Sequence, residues 1–126
     1  MSGGADLDAG GPNVVVISET TSDTINASSS EYYPSSAGLV VDTGYRLITI
    51  SVKADYALTG AVEVSDDYGT TWDQYYPADG TTFTLTAGRL KSMSYEEDFL
   101  MVRLKLDNGD GSNHTVNSVR FKGNRY

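Results

Sequence analysis

Few side chains in this sequence have the chemistry that catalysis requires. There is no cysteine, which excludes a disulfide framework and a thiolate metal site. His114 is the only histidine, and its polar surroundings have no serine and aspartate arrangement that suggests a hydrolytic triad. A phosphate loop, a helical metal motif and a nucleophile elbow are also missing. We therefore expect no catalytic residue and no cofactor, and we place His114 on the surface.

One loop carries several side-chain oxygens of the kind that bind calcium. Asp107, Asn108, Asp110 and Asn113 all fall within residues 107–113. Their spacing lacks the alternate acids and the terminal glutamate of an EF-hand loop. A solvated loop is therefore the expectation, and we assign no metal ligand.

Tyrosine is frequent, with nine copies in 126 residues. An exposed tyrosine ring can stack on a sugar or anchor a protein interface, whereas a buried ring packs in a core. Two adjacent pairs supply the candidate interaction aromatics, which are Tyr32, Tyr33, Tyr75 and Tyr76. Core packing or subunit contact is the first interpretation of this pattern, and sugar binding is the alternative.

The best-defined motif runs from Ser65 to Trp72, between an alternating apolar run and an aromatic run. This pattern predicts a polar turn that joins two strands. The Asp67 carboxylate can accept hydrogen bonds from turn N–H groups, and Gly69 can supply a left-handed backbone position. The hydroxyls of Ser65 and Thr71 can tie the strand ends together, while the Trp72 ring folds over the hairpin base.

These residues match the pattern Ser-x-Asp-x-Gly-x-Thr-Trp, so the segment resembles the Asp-box hairpin of sialidases and of many unrelated β-proteins. In those families the box usually lies away from the catalytic centre. A sialidase-like propeller needs many blades of about 40–45 residues each, whereas this chain carries one box. We interpret the box as a structural hairpin whose site residues are Ser65, Asp67, Gly69, Thr71 and Trp72.

The charge balance restricts the partners of the chain. Seventeen acidic residues against nine basic ones give a formal net charge of −8. Nucleic-acid backbones and anionic lipids both require a basic patch, so we expect neither partner. A soluble, aggregation-resistant surface explains the acidity, and adaptation to high salt is the alternative.

The N-terminal residues are polar and rich in glycine. They have neither the basic start nor the apolar core of a signal peptide, and the longest apolar runs are far shorter than the roughly 20 residues that cross a bilayer. We expect a soluble protein that is made in the cytoplasm. Residues 1–13 predict a flexible arm that can order on a neighbouring subunit, and residues 14–126 predict one domain.

Alternating apolar residues predict an all-β fold, and no segment has the stripe of an amphipathic helix. The clearest strands are 45–54 and 99–107. Shorter strands are expected at 14–17, 39–42, 61–64, 72–76, 81–86 and 115–122, with 18–38 mostly irregular and 89–95 either a strand or a crossing. About eight strands joined by short turns indicate an antiparallel β-sandwich or jelly roll.

The order of these features resembles that of small β-sandwich proteins in tailed viruses. The resemblance is carried by Val41–Leu47, the Ser65–Trp72 box, Thr84–Gly88 and Phe99–Leu104. Such proteins serve as capsid decoration, turret, head-fibre and tail components. The resemblance implies a structural virion role without catalysis, often in a multimer. With this resemblance, the acidic composition would suit a virus of a halophilic host.

Two functions remain open at this point. The first is a non-enzymatic virion protein that self-associates or docks on capsid or tail proteins. The second is a carbohydrate-binding or host-receptor-binding module in which tyrosines stack on host-surface glycans. An enzyme is the least supported alternative.

Overall fold

The structure is a computed structural model that describes residues 14–41, 44–96 and 99–125. Regular structure in these residues consists of ten strands. The first five are β1 (Val14–Ile25), β2 (Ser29–Tyr33), β3 (Leu39–Val40), β4 (Tyr45–Ala54) and β5 (Thr59–Ser65). The others are β6 (Asp73–Tyr76), β7 (Phe83–Thr84), β8 (Lys91–Glu96), β9 (Met101–Asn108) and β10 (His114–Arg125). The described residues form no helix, and hence none suited to crossing a membrane.

Two antiparallel sheets form a β-sandwich, which confirms the predicted fold class. The first sheet has the order β1-β10-β4-β8, and the second has the order β2-β9-β5-β6. Two short strands complete the edges of the second sheet, because β3 pairs with β9 beyond the end of β2 and β7 pairs with β5 beside β6. The described residues thus form ten strands, where about eight were expected.

The core lies between the sheets and is built by alternation in their central strands. Side chains at every second position of β4 and β9 are completely buried, as predicted: Ile48, Ile50, Val52, Val102, Leu104 and Leu106. Val119 and Phe121 of β10 also point inward, as expected. Burying one such side chain stabilises a fold by about 1.5–3 kcal/mol, so these strands are the main source of stability.

The sequence-based prediction was wrong about residues 18–38. Strand β1 continues to Ile25 instead of ending at Ile17, and β2 follows after a short turn. The serines and threonines in this stretch resemble a loop pattern. Backbone pairing with β10 nevertheless keeps the stretch extended, with Thr20 opposite Val119 and Thr24 opposite Thr115. An edge strand needs no continuous apolar face, so its composition hides it.

The predicted arm, residues 1–13, lies outside the described residues, as do 42–43, 97–98 and 126. The open choice for residues 89–95 is settled by β8, which pairs with β4 along its whole length. Glycine at position 123 is required by packing, because a Cβ atom there would lie 2.3 Å from the ring of Tyr45.

The two lateral sides of the sandwich differ in how they are closed. On one side, Tyr75 of β6 packs edge-on against Tyr95 of β8 and against Phe99, with ring centroids 5.2 Å apart in both pairs. Tyr76 packs near Phe83 and Tyr95 on the same side. On the other side lie β1 and β2, the outer strands of the two sheets.

Candidate functional site

The Ser65–Trp72 turn connects β5 to β6 and is held by hydrogen bonds between its own residues. The Asp67 carboxylate accepts from the Thr71 backbone N–H at 2.9 Å and from the Thr71 hydroxyl at 2.6 Å. It also accepts from the Ser65 hydroxyl at 2.8 Å. The Ser65 oxygen accepts in turn from the Gly69 N–H at 2.8 Å. These contacts link both ends of the turn to one carboxylate.

The same hydrogen bonds determine the acidity of Asp67. Donation by the Thr71 hydroxyl, followed by the Thr71 N–H and the Ser65 hydroxyl, lowers the pKa of Asp67 to about 2. A general acid needs a proton to give near neutral pH, and this carboxylate has none there. Its chemistry therefore suits bracing the turn.

The tip of the turn is formed by Tyr68 and Gly69. Their φ angles are +55° and +91°, and the Thr70 N–H points to the Asp67 carbonyl at 3.4 Å. Two central residues with positive φ are what a type I′ hairpin turn requires. Gly69 occupies the left-handed position expected for it, and Tyr68 is 61% exposed beside it.

Trp72 and Tyr32 are brought together by Arg103, although the three lie far apart in the sequence. The Arg103 guanidinium carbon lies 4.1 Å from the ring centroid of Tyr32 and 4.2 Å from that of Trp72. Planar guanidinium groups stack favourably on aromatic faces. This three-residue stack lies on the outer face of the second sheet and joins β2, β9 and the box turn.

Polar contacts fix Arg103 within this stack. Its Nε donates to a Glu63 carboxylate oxygen at 2.7 Å, and its Nη1 donates to the Ser36 carbonyl at 2.6 Å. Trp72 also lies against the chain at Gly38, where an added Cβ atom would be 2.3 Å from the indole ring. Arg103 was not predicted as a site residue. The alternation of β9 indicated only that its side chain points outward.

The other candidate interaction aromatics contribute mainly to packing within the domain. Tyr33 is only 2% exposed, and its hydroxyl donates to Asp23 at 2.7 Å. Burial raises the pKa of Tyr33, and the hydrogen bond to Asp23 raises it further. Tyr75 and Tyr76 are partly buried against the core. Of the four tyrosines, Tyr32 alone stands on the outer sheet face, and there it stacks on Arg103.

A cleft of about 390 Å³ lies where β1 and β2 approach each other. Thr20 and Asp23 line its β1 wall, Ser30 to Tyr33 line its β2 wall, and residues 34–36 form its end. The lining is rich in hydroxyl and carboxylate groups. No sequence motif marked it, because the prediction had assigned most of these residues to an irregular segment.

The asparagine side chains of the 107–113 loop serve the fold. Asn108 is 1% exposed, and its Nδ2 donates to the carbonyls of Ile25 and Ser112 at 3.1 and 2.8 Å. Asn113 Oδ1 accepts from the Ala27 N–H at 2.8 Å. These contacts join the loop to the β1–β2 turn. Within the described residues, no group of three or more histidine or acidic side chains is arranged to hold a metal.

His114 is packed more tightly than a solvated surface residue, with 17% of its side chain exposed. Its ring stacks on Tyr56 with centroids 3.8 Å apart, and its Nε2 lies 2.7 Å from Asp110 Oδ2. The hydrogen bond with His114 lowers the pKa of Asp110. The cluster ties the 107–113 loop to the β4–β5 connection.

Comparison with known proteins identifies the fold and no more. No protein-family model matches the chain, and neither does any curated protein sequence. Among solved structures, the PBSX exported protein XepA superposes with a TM-score of 0.60 at 14% identity, over 89% of this chain. The chain spans only 36% of the length of XepA. At this identity the likeness shows a common fold.

Other solved structures superpose less closely. An F5/8 type C domain from Bacteroides fragilis gives a TM-score of 0.48 at 10% identity, covering 69% of this chain and 63% of that domain. A Bacillus endospore appendage protein that forms disulfide-linked pili gives 0.45 at 11% identity, covering 90% of each chain. These scores are too low to carry a functional argument. The chain therefore has a β-sandwich fold similar to that of part of XepA.

Proposed function

We propose that the chain is a non-catalytic structural subunit of a virus-type particle, which self-associates and docks on neighbouring capsid or tail proteins. The ionisable side chains that could do chemistry support this role, because their contacts hold the domain together. Asp67 braces a turn, Arg103 is stacked between two rings, and His114 links two loops. A virion is the proposed location, and neither nucleic acid nor membrane is a proposed partner.

The outer edge of β1 is the observation that carries this proposal. The strand has 12 residues and pairs with β10 alone among the described residues. Exposed edges are templates for pairing with another chain, and proteins usually protect them with lysine or proline. β1 contains neither, and it exposes Val14 and Val16 by 46% and 51%. The Val14 end of β1 is therefore the proposed contact between copies.

Light scattering after size exclusion, over a range of protein concentrations, tests self-association. We expect wild type to form a defined oligomer and Val16→Glu to be monomeric, because pairing of two edges would bring the new charges together. Val16 lies opposite Lys122 in the sheet, so a glutamate there is compatible with the monomer fold. Leu90→Glu is the matched control, since Leu90 is 62% exposed outside the strands. A wild-type protein that stays monomeric throughout would contradict the proposal.

Binding of carbohydrate or a host receptor is the second candidate function. The cleft beside Tyr32 favours it, since a hydroxyl-lined cleft next to an aromatic ring suits a sugar. The internal packing of Tyr33, Tyr75 and Tyr76 weighs against it, because a stacking platform needs an open ring face. A glycan array with wild-type protein tests this candidate directly, and specific binding by a monomer would favour it over the particle subunit.

A further inference from the structure

The polar cleft lies between two strands that each have an unpaired side. β1 ends one sheet and β2 ends the other, and both lie on the same lateral side of the sandwich. Within the described residues, neither strand has a further neighbour in its sheet. The backbone N–H and C=O groups along such an edge can pair with an added extended segment.

The charge in this cleft is negative and is not compensated by its walls. Asp23 projects from β1 and Glu31 from β2, and the lining contains no lysine or arginine. Neither carboxylate forms an ion pair within the described part of the chain. The Tyr33 hydroxyl donates to Asp23 at 2.7 Å. Burial raises the pKa of Tyr33, and the charges of Asp23 and Glu31 raise it further.

We propose that the cleft binds an extended peptide segment of a partner protein that carries a lysine or arginine. The backbone of this segment pairs with the free edge of β2. Its cationic side chain enters the cleft and meets Asp23 and Glu31 in charge-assisted hydrogen bonds. The contact differs from self-association through the Val14 end of β1, so either can hold without the other.

Charge and ring geometry disfavour two simpler occupants of the cleft. Residues 1–13 of a second copy contain Asp6 and Asp8 and no basic residue, so the cleft would repel them. A sugar would need an open stacking face, but Tyr33 is 2% exposed and the Tyr32 ring already contacts Arg103. A basic extended segment is the class that satisfies both the charge and the strand edge.

Titration of isotope-labelled protein with short synthetic peptides, followed by NMR, tests the proposal. The probe is a capped pentapeptide of alternating threonine and valine with lysine at its centre, and the matched probe has glutamate there. We expect the lysine peptide to shift the backbone amide signals of residues 20–23, 30–33 and 35–36. The glutamate peptide should bind at least tenfold more weakly. Raising the salt concentration should weaken binding of the lysine peptide alone.

Two variants separate the cleft from general electrostatic attraction. Glu31→Gln removes one cleft charge and should weaken binding of the lysine peptide about tenfold. Glu96→Gln makes the same chemical change at an exposed position of β8, in the first sheet, and should leave binding unchanged. Circular dichroism of each variant confirms that it is folded.

Three results would each overturn the proposal. The first is equal binding of the lysine and glutamate peptides, and the second is equal loss of binding in both variants. The third is the absence of shifts in residues 20–36 at millimolar lysine peptide, including a case where neutral oligosaccharides shift those signals instead. Failure of peptide binding would leave the light-scattering result for self-association intact.

Discussion

Asp67 shows at the scale of one residue how a carboxylate can serve a structural purpose. Its carboxylate receives three hydrogen bonds from Ser65 and Thr71, which leaves little capacity to bind a substrate. The low pKa follows from these bonds and favours the charged form. The stability of the fold therefore depends on the ionisation of this carboxylate.

We predict that Asp67 makes the fold sensitive to acid. Its pKa is lowered from 3.8 in the unfolded chain to about 2 in the fold, so its stabilising contribution is complete above the unfolded value and is lost as pH falls through about 2. Urea denaturation from pH 6 to pH 2 should show Asp67→Asn less stable than wild type at pH 6, with the difference shrinking below pH 4. Asp66→Asn removes a neighbouring charge and serves as the control. A constant difference down to pH 2 would contradict this.

Gly38 is the second residue whose replacement has a defined cost. Its φ is +80°, and a Cβ atom there would be 2.3 Å from the Trp72 ring. We predict that Gly38→Ala lowers the free energy of unfolding by roughly 3 kcal/mol, from backbone strain plus displacement of the indole. Gly88→Ala, with φ of +73° and open space around it, should cost only about 1 kcal/mol. If urea denaturation gave equal losses of unfolding free energy for Gly38→Ala and Gly88→Ala, the Trp72 ring would be shown to move aside at no energetic cost.

At the scale of elements, Arg103 of β9 connects β2 to the Ser65–Trp72 turn on the outer face of the second sheet. We predict that Arg103→Lys destabilises the domain by about 1–2 kcal/mol, because an ammonium group keeps the charge but cannot stack on two rings. Arg120→Lys is the matched control on the other sheet, where Arg120 is 43% exposed and pairs with Glu19. Its change should stay below about 0.5 kcal/mol. Thermal denaturation that ranks the two variants equally would contradict a role for stacking.

The success of sequence-based prediction also varied by element. The central strands β4 and β9 were predicted because burial on one face imposes a period of two on the sequence. The edge strand β1 was missed beyond Ile17, since its polar half is held by backbone pairing with β10. Within the candidate site, bonds among Ser65, Asp67 and Thr71 are local and could be anticipated. The stack on Arg103 depends on tertiary contacts with Tyr32 and Trp72, which no local pattern encodes.

The whole molecule has one lateral side packed with aromatic rings and one side with a polar cleft. The aromatic side includes a polar defect, because the Tyr95 hydroxyl is buried and has no hydrogen-bond partner among the described residues. Burial raises the pKa of Tyr95, in accord with this environment. One side is therefore held together by aromatic packing, and the other is the side at which we propose contacts with partners.

We predict that Tyr95→Phe stabilises the molecule. Removing an unsatisfied buried hydroxyl recovers its desolvation cost, so the free energy of unfolding should rise by about 1 kcal/mol. Tyr33→Phe is the contrasting variant, because its hydroxyl donates to Asp23, and it should lower stability by about 1 kcal/mol. Differential scanning calorimetry distinguishes the two. A loss of stability in Tyr95→Phe would mean that the hydroxyl is satisfied in solution.

The position of Trp72 has a practical consequence for following this protein in solution. It is the only tryptophan, and it contacts Gly38 and Arg103, so its fluorescence depends on three distant parts of the second sheet being assembled. The first sheet contains no such fluorophore. The emission of the natural protein is therefore an intrinsic probe of one sheet. Comparing the Trp72 emission with far-ultraviolet circular dichroism, which reports on both sheets, would reveal whether the two sheets unfold together or in sequence.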